Sequence, residues 1–538
     1  MIKNQANISA NTAKPILWTI SGADCSGGAG IAADIRTGHC LGVEVCHLIT
    51  ANTVQNSQKL LSINPTDVKI LAQQAQALRF DKPPCVIKIG LIANSVQISW
   101  LVSLLSELKQ QIKGLILVYD PVGQASVGGS LSTIHADALL PLMPLLGVIT
   151  PNLLEAKQLE KLTNDTTEDD NLKIAKNVIK LGCNAVIVKG GHQNNINDEN
   201  NTKSKTYCFD TCLEKQATNS QQPFSLQSYQ LQSPYINTSY SHGGGCSFAT
   251  ALACFLGHGY LLRDAFTLTK AYINKGLSIA KQQQAYRISS EKSEPTAQHY
   301  YGAFEQSVWP TDASFFPKVT GLTNDKYQHL PAFAGLDLAA NERLGLYPVV
   351  DSIEWLERLL PLKINIMQLR IKNKSDDELD AIVKKAVTLV KKYQCRLFIN
   401  DYWQLAIKHG AYGVHIGQED LAQADLCAIS DANLRLGIST HGCYEFLLAQ
   451  QLQPSYLAVG AIFPTKTKDM TGQIQGLDNL RQIMNLANNI PVVAIGGINQ
   501  QRAAQVWKTG VSAVAVVTAI TQAEQPIEAT KTLQAALN

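Results

Sequence analysis

Hydrophobic positions in the first half of the chain fall in short runs rich in β-branched residues. They lie at Ile16–Ser21, Val43–Ile49, Cys85–Ile89, Leu115–Tyr119 and Ala185–Val188. Each run gives way to Gly, Pro or Asp, and helical periodicity usually follows. This alternation predicts parallel strands joined by crossover helices. Polar stretches at Gln193–Lys205 and Leu213–Gln222 interrupt it and read as surface excursions. The second half is more regular. Strand-like runs occur at Leu344–Val350, Ile364–Ile371, Arg396–Ile399, Gly413–Ile416, Arg435–Ser439, Tyr456–Phe463, Pro491–Ile495 and Ala513–Thr518. Helical patterns separate most of them. In one, Leu379, Ile382, Val383, Ala386, Val387 and Val390 form an apolar stripe, with Lys384, Lys385, Lys391 and Lys392 off it. Eight strands with intervening helices in so short a span predict a compact (β/α)8 barrel. Between Gln282 and Arg343 the periodicity fades. Phe315, Phe316, Leu330 and Phe333 predict that parts of this connector dock on a domain, because free linkers carry few aromatics.

The expected organisation is a tail (1–14), an α/β domain (15–283), a connector (284–343) and a barrel (344–538). The full length of 538 residues accommodates it. An apolar fraction of 45% and a charged fraction of 17% exclude a disordered chain, a collagen and a coiled coil. With 46 basic and 43 acidic residues, the net charge of +3 calls for no nucleic-acid or membrane-surface partner. The 12 cysteines include no CxxC pair. Cys208 and Cys212 lack the histidines that would complete a zinc pattern. Met1–Lys14 has no signal-peptide core, and Leu139–Ile149, broken by Pro141 and Pro144, is too short to span a bilayer. A soluble, cytoplasmic protein with free thiols is expected.

Two glycine-rich segments of the first half carry candidate chemistry. Ser21-Gly-Ala-Asp-Cys-Ser-Gly-Gly-Ala-Gly30 links the first strand to a helix. It is neither a Walker loop nor GxGxxG, yet its glycines let backbone approach a ligand closely. Tyr240-Ser-His-Gly-Gly-Gly-Cys246 precedes an apolar helix. Gly243, Gly244 and Gly245 there leave N–H groups free to face an anion. The helix dipole predicts a lowered pKa for Cys246. A glycine turn beside a structural cysteine is the alternative.

These segments carry a resemblance to the ribokinase-like hydroxymethylpyrimidine/phosphomethylpyrimidine kinases. Further matching pieces are Ile49-Thr-Ala-Asn-Thr-Val-Gln-Asn56, Lys88-Ile-Gly-Leu91, Asp120-Pro-Val122, Thr150-Pro-Asn-Leu-Leu-Glu-Ala156 and Val188-Lys-Gly-Gly-His192. The resemblance implies an α/β/α fold and ATP as phosphoryl donor. It implies that Gln55, Gly22 and Asp24 line the aminopyrimidine pocket. Asp120, Asn152 and Glu155 would organise Mg²⁺ and phosphates, and Lys189 would lie near the ATP phosphates. Gly243–Cys246 would form the anion hole, with Cys246 where related enzymes place an Asp base. The family usually has Gly-Thr-Gly-Cys, so Gly244 is a departure that implies an altered rate. Ribokinase-like relatives often pair, which makes a homodimer an option. A pyridoxal-type kinase is the rival enzyme reading.

In the second half, polar residues cluster at the ends of the strand-like runs. Gln368-Leu-Arg-Ile-Lys372 puts Gln368, Arg370 and Lys372 on one side by alternation, and two cations there suit a diphosphate. Asp401 and Asp420, from adjacent strand ends, can share Mg²⁺; either alone reads better as a helix cap. Thr465-Lys-Thr-Lys468, Gly496-Gly497 and Val517-Thr518 follow the last three strands, and the last two of these segments lie where barrels commonly bind phosphate.

This half resembles the thiamine-phosphate synthases over about residues 344–525. It shares with them Gly413-Val-His-Ile-Gly-Gln-Glu-Asp-Leu421, Gly437-Ile-Ser-Thr-His441 and Phe463-Pro-Thr-Lys-Thr-Lys468 besides the motifs above. The resemblance implies that Gln368, Leu369, Arg370, Ile371, Lys372, Asn400, Ser439 and Lys468 contact hydroxymethylpyrimidine diphosphate. Asp401 and Asp420 would hold Mg²⁺. Thr465, Lys466, Thr467, Gly496, Gly497, Val517 and Thr518 would contact thiazole phosphate or its carboxylate. Thiazole tautomerases share the fold but need no diphosphate site. Together the two halves imply a bifunctional enzyme of thiamine biosynthesis. A catalytically dead fusion that senses intermediates is the alternative of another class.

Overall fold

The computed structural model describes residues 13–56, 59–122, 134–163, 170–191, 194–195, 206–218, 224–290, 302–320, 330–339, 342–465 and 473–537. They form two compact units, one ending at Thr320 and the other beginning beyond it. The first is an 11-stranded sheet with helices. Its strands are β1 (Ile16–Asp24), β2 (Glu44–Gln55), β3 (Leu60–Pro65), β4 (Val86–Ile89), β5 (Ile116–Tyr119), β6 (Val148–Ile149), β7 (Ala185–Val188), β8 (Asn194–Asn195), β9 (Thr206–Ala217), β10 (Phe224–Pro234) and β11 (Lys318–Thr320). Their order is β11-β10-β9-β7-β6-β5-β4-β1-β2-β3, with β8 beside β9.

The central pairs from β2 through β1, β4, β5 and β6 to β7 are parallel, as the apolar runs predict. Trp18, Ile20, Ile87, Ile89 and Leu117 are buried there, each contributing roughly 1.5–3 kcal/mol of hydrophobic stabilisation. From β1 the chain passes first to β2 on one side and later to β4 on the other. Open α/β sheets bind ligands beyond their strand ends at such a switch point. The segment Leu213–Gln222 is not wholly an excursion: Leu213–Ala217 continues β9, which pairs antiparallel with β7 and β10.

The second unit is a closed barrel of eight parallel strands: β12 (Gly345–Val350), β13 (Ile366–Leu369), β14 (Arg396–Asn400), β15 (Gly413–Ile416), β16 (Arg435–Thr440), β17 (Tyr456–Val459), β18 (Val492–Ile495) and β19 (Ala513–Val516). Each overlaps one predicted run. The apolar stripe falls in the helix Asp376–Lys391, which opens with a Ser375–Glu378 capping box. It buries Leu379, Val383, Ala386, Val387 and Val390. Inside the barrel, large rings fill space that glycines leave. A Cβ on Gly413 would lie 2.4 Å from the Phe398 ring, and one on Gly437 2.2 Å from the Tyr456 ring.

The expected connector is divided between the units. The helix Leu262–Ser290 runs into it. Residues 302–320 pack on the first unit, where β11 pairs with β10 and the Asn274 amide donates to Phe315 O (2.9 Å). Residues 333–337 lie on the barrel. Phe333 N–H donates to Gln453 O, and Arg396 donates to the carbonyls of Leu336 and Asp337. Among the described residues no helix is long and apolar enough to cross a membrane.

Candidate active sites

In the first unit, strand ends bring the predicted residues to one cavity of about 160 Å³. Gly22, Asp24, Gln55, Asp120, Asn152, Glu155, Lys189, Gly243, Gly245 and Cys246 all line it; Gly244 does not. Lys189 Nζ lies 2.8 Å from Asp120 Oδ1. Burial works against the Lys189 ammonium, but the charges of Asp120 and Glu155 outweigh it and raise its pKa. Asn152 and Glu155 form a capping box on the helix Leu153–Glu160: Asn152 N–H donates to Glu155 Oε2 (2.8 Å), and Glu155 N–H to Asn152 Oδ1 (2.9 Å). The box adjoins Lys189, whose N–H donates to Pro151 O.

The glycine turn enters the helix Gly244–Gly257 through Gly243, at φ +82°. A Cβ on Gly243 would lie 2.0 Å from Gly28 O, so only glycine fits where the two glycine-rich segments touch. Gly244 N–H donates to Ser241 O and Ser247 N–H to Gly243 O. That leaves the first-turn N–H groups of Gly245 and Cys246 without an intrahelical carbonyl. A Cβ on Gly245 would stand 3.7 Å from Lys189 Nζ and 3.9 Å from Asp120 Oδ2. Charge and backbone donors therefore meet at one point.

The expected lowering of the Cys246 pKa is corrected. Burial pushes this thiol up to about 11; Lys88 and a Gly30 backbone donor favour the thiolate, the negative charges of Asp34 and Asp120 oppose it, and burial decides the direction. The Asp24 carboxylate ties the first loop together. It accepts from Ser26 N–H, Ser26 Oγ–H and Ala29 N–H, and meets His242 Nε2 at 2.7 Å. Against its burial, the His242 and Gln55 hydrogen bonds hold it well below the usual carboxylate range. Sequence reasoning missed His242. It also missed the fully buried Lys88–Asp34 ion pair (2.9 Å), whose carboxylate also accepts from Thr19 and Thr250.

In the barrel, the residues predicted for the second site sit at or just beyond the C-terminal strand ends. In a parallel closed barrel these ends share one rim. Gln368 and Asn400 are buried, Arg370 and Ser439 half-buried, and Lys372 exposed; β13 stops at Leu369, so the alternation reading holds only within it. Ile371 is buried. Asp401 turns at φ +63°, a conformation Asp tolerates, with its N–H donating to His415 O. Burial and the negative charge of Asp420 raise its pKa, while Arg370, a Gly417 backbone donor and the Asn400 amide pull the other way. Gly496 (φ +100°) and Gly497 (φ +64°) follow β18, with Phe463 N–H donating to Gly496 O. Val517 and Thr518 open the short helix after β19, and Thr465 lies beyond β17. Lys466, Thr467 and Lys468 lie outside the described residues.

Behind Ser439 stands a buried polar chain that the sequence did not reveal. His415 Nε2 is 2.8 Å from Ser439 Oγ, and His415 Nδ1 is 2.7 Å from Tyr456 Oη. Tyr456 Oη in turn lies 2.8 Å from Tyr347 Oη. Burial, with the charge of Arg370, pushes His415 down to about 3, so its imidazole stays neutral.

The two units are those of an enzyme built from a ribokinase-like domain and a TIM barrel. The family model for phosphomethylpyrimidine kinase matches residues 24–290, and that for thiamine monophosphate synthase matches residues 346–520. The barrel is 55% identical to the thiamine-phosphate synthase of Citrobacter koseri over 193 residues, 36% of this chain and 92% of that one. A solved phosphomethylpyrimidine kinase from Clostridium difficile 630 is 30% identical, covering 49% of this chain and 99% of that one, with a TM-score of 0.38. A pyridoxal kinase from Staphylococcus aureus is 26% identical, covering 49% and 88%, with a TM-score of 0.39. The chain belongs to the thiamine-phosphate synthase family, and a phosphomethylpyrimidine kinase domain precedes the synthase in the same polypeptide. It is a bifunctional enzyme of thiamine biosynthesis.

Proposed function

We propose that the first unit uses MgATP to phosphorylate 4-amino-5-hydroxymethyl-2-methylpyrimidine and then its monophosphate. The second unit joins the resulting diphosphate to thiazole phosphate, releasing pyrophosphate and thiamine phosphate. What supports this most is that both family matches occur in one chain, so that the product of one unit is the substrate of the other.

In the kinase, Gln55, Gly22 and Asp24 receive the aminopyrimidine. Lys189 and the N–H groups of Gly245 and Cys246 face the transferred phosphoryl group. Asp120, Asn152 and Glu155 reach the same space and would hold Mg²⁺. Phosphoryl transfer passes through a loose transition state and rests on positioning and charge. Cys246, protonated at neutral pH, serves as a hydrogen-bonding group toward the hydroxymethyl oxygen rather than as a resting thiolate.

In the barrel, Gln368–Lys372, Asn400, Ser439 and Lys468 take the pyrimidine diphosphate. Thr465–Thr467, Gly496, Gly497, Val517 and Thr518 take the thiazole phosphate. Asp401 and Asp420 fit Mg²⁺: each opposes the other's charge, and a divalent cation relieves this. No group of three or more His, Cys, Asp or Glu that could hold a metal occurs among the described residues. The diphosphate and water would complete the shell. Bound there, the ion supplies positive charge to the departing pyrophosphate. Arg370 and Lys372 add to that charge, and the neutral His415 holds the Ser439 hydroxyl in place. A cytoplasmic setting is in keeping with the 12 free cysteines.

The test is an assay of purified protein with ATP, hydroxymethylpyrimidine and thiazole phosphate, detecting thiamine phosphate. Pyridoxal and hydroxymethylpyrimidine are then compared as phosphoryl acceptors. Preference for pyridoxal would overturn the kinase assignment.

A further inference from the structure

The kinase family match ends at residue 290, yet the first unit continues beyond it. Residues 302–306 run against the glycine turn. His242 N–H donates to Gly302 O (3.1 Å), and Phe304 N–H donates to His242 O (2.8 Å). His242 is the residue that immediately precedes the turn and holds Asp24. Gly302 lies so close to Tyr240 that a Cβ would meet its ring at 2.4 Å. On the far side of the turn, Gln306 Nε2 donates to Ser247 Oγ (3.3 Å), while Gln306 Oε1 accepts from Arg36. The strap is thus bonded to the residues on both sides of Gly243–Cys246.

Its one buried ring, Phe304, is 1% exposed and leans on Tyr272 at 6.1 Å between centroids. Gly276 leaves it room, since a Cβ there would overlap the ring at 2.2 Å. The nearest atom to a Cβ built on Gly244 is Phe304 Cδ2, at 3.9 Å. A β-carbon alone would be in ordinary contact. The further atoms of a larger side chain at 244 would press on the ring.

Resting on the kinase reading above, we propose that residues 302–306 are a positioning strap for the kinase anion turn. Phe304 packs where a side chain at position 244 would otherwise buttress the turn. Gly244 donates to no ligand; its role is to leave the ring its place. The strap holds the Gly245 and Cys246 donors at the phosphoryl site, so it acts on turnover more than on pyrimidine binding.

The test uses the full-length chain, with the synthase reaction as an internal control. Phe304→Ala is expected to lower kinase kcat about tenfold, to move the hydroxymethylpyrimidine KM less than threefold and to leave the synthase rate unchanged. Adding Gly244→Thr to Phe304→Ala is expected to recover most of the loss, whereas Gly244→Thr alone impairs the otherwise native chain. A kcat within twofold of native for Phe304→Ala would overturn the proposal. So would a loss that Gly244→Thr does not recover, because a merely structural role predicts additive damage. Should Phe304→Ala abolish the cooperative melting of the first unit, Phe304→Leu replaces it. Gly244→Thr must then cost less in the Phe304→Leu background than in the native one, and equal costs overturn the proposal. A native chain unable to phosphorylate hydroxymethylpyrimidine would overturn the kinase reading and the strap with it. An active native chain with indifferent variants overturns the strap alone.

Discussion

Gly497→Ala tests whether the loops beyond β17 and β18 form one site. Gly497 has φ +64°, where an L side chain costs roughly 1–2 kcal/mol. A Cβ there would also lie 2.5 Å from Pro464 O and 2.6 Å from Phe463 O. Both neighbours are backbone, so neither can rotate away, and the contact must open by about half an ångström. Gly497 cannot easily yield, because its carbonyl accepts from Arg502 Nη1 at 2.7 Å. The displacement therefore falls on Phe463-Pro464, which leads directly into Thr465. A 1 Å misplacement can cost about a hundredfold, so half of that predicts about tenfold, or roughly 1.4 kcal/mol. Synthase rates measured with thiazole phosphate varied should show kcat/KM about tenfold lower, mostly through KM, with the kinase rate of the same preparation unchanged. An unchanged KM together with an unchanged barrel melting temperature would refute the reasoning.

Four further outcomes are expected. Lys88→Met leaves Asp34 as an unpaired buried charge and should destabilise the first unit by about 3–5 kcal/mol, seen as a lower first calorimetric transition; an unmoved transition would count against it. Burial alone would lower the Lys88 pKa, but Asp34, with the charges of Cys246 and Asp120, outweighs it and raises it, so the pair stabilises the fold at neutral pH and is lost only as pH rises past the ordinary lysine range. Iodoacetamide should label the exposed Cys25 first and Cys246 slowly, the latter at a rate rising roughly tenfold per unit between about pH 8 and about pH 10; equal labelling at neutral pH would contradict the raised pKa. Asp401→Asn should lower the synthase rate about 10²–10³-fold while raising the metal-free melting temperature of the barrel, since its raised pKa marks an ionised form the fold disfavours; a less stable variant would exclude that. Cutting the chain between Thr320 and Leu330 should leave both activities, whereas ending the first fragment at Ser290 removes the strap and β11 and should impair the kinase, measured by the separate half-reactions.

The barrel was legible because parallel strands buried on both faces read as continuous apolar runs, and their polar ends mark the rim. The edge of the first sheet was not. In β10 the residues Phe224–Ser228 are exposed, and beyond them only Tyr229, Leu231 and Ser233 are buried, with half-buried Gln230 and Gln232 between them. Such a ribbon gains its stability from pairing with β9, which leaves little hydrophobic periodicity to read. Two-residue β6 is too short for any period, and its Val148 and Ile149 were absorbed into the longer apolar run before them. The strap escaped for a related reason: it is held by backbone bonds and by glycines at 276 and 302 that make room, and neither has a periodic signature.

Cys246 shows where a local rule gives way. Its place in the first turn of a helix predicts an acidic thiol, because the dipole is a property of the adjacent backbone. What opposes it is first the burial that the fold creates, and then the charges of Asp34 and Asp120, far off in sequence and joined to the turn only by the fold. His242 is the same case, lying 218 positions from the Asp24 it holds. Motifs therefore located residues that line one cavity, while tertiary neighbours set their protonation. On the function proposed above, a kinase whose turn presents a neutral thiol would draw its catalysis from the Gly245 and Cys246 N–H groups and from Lys189. These are the groups whose positions depend on Gly243 at φ +82° and on the strap behind it.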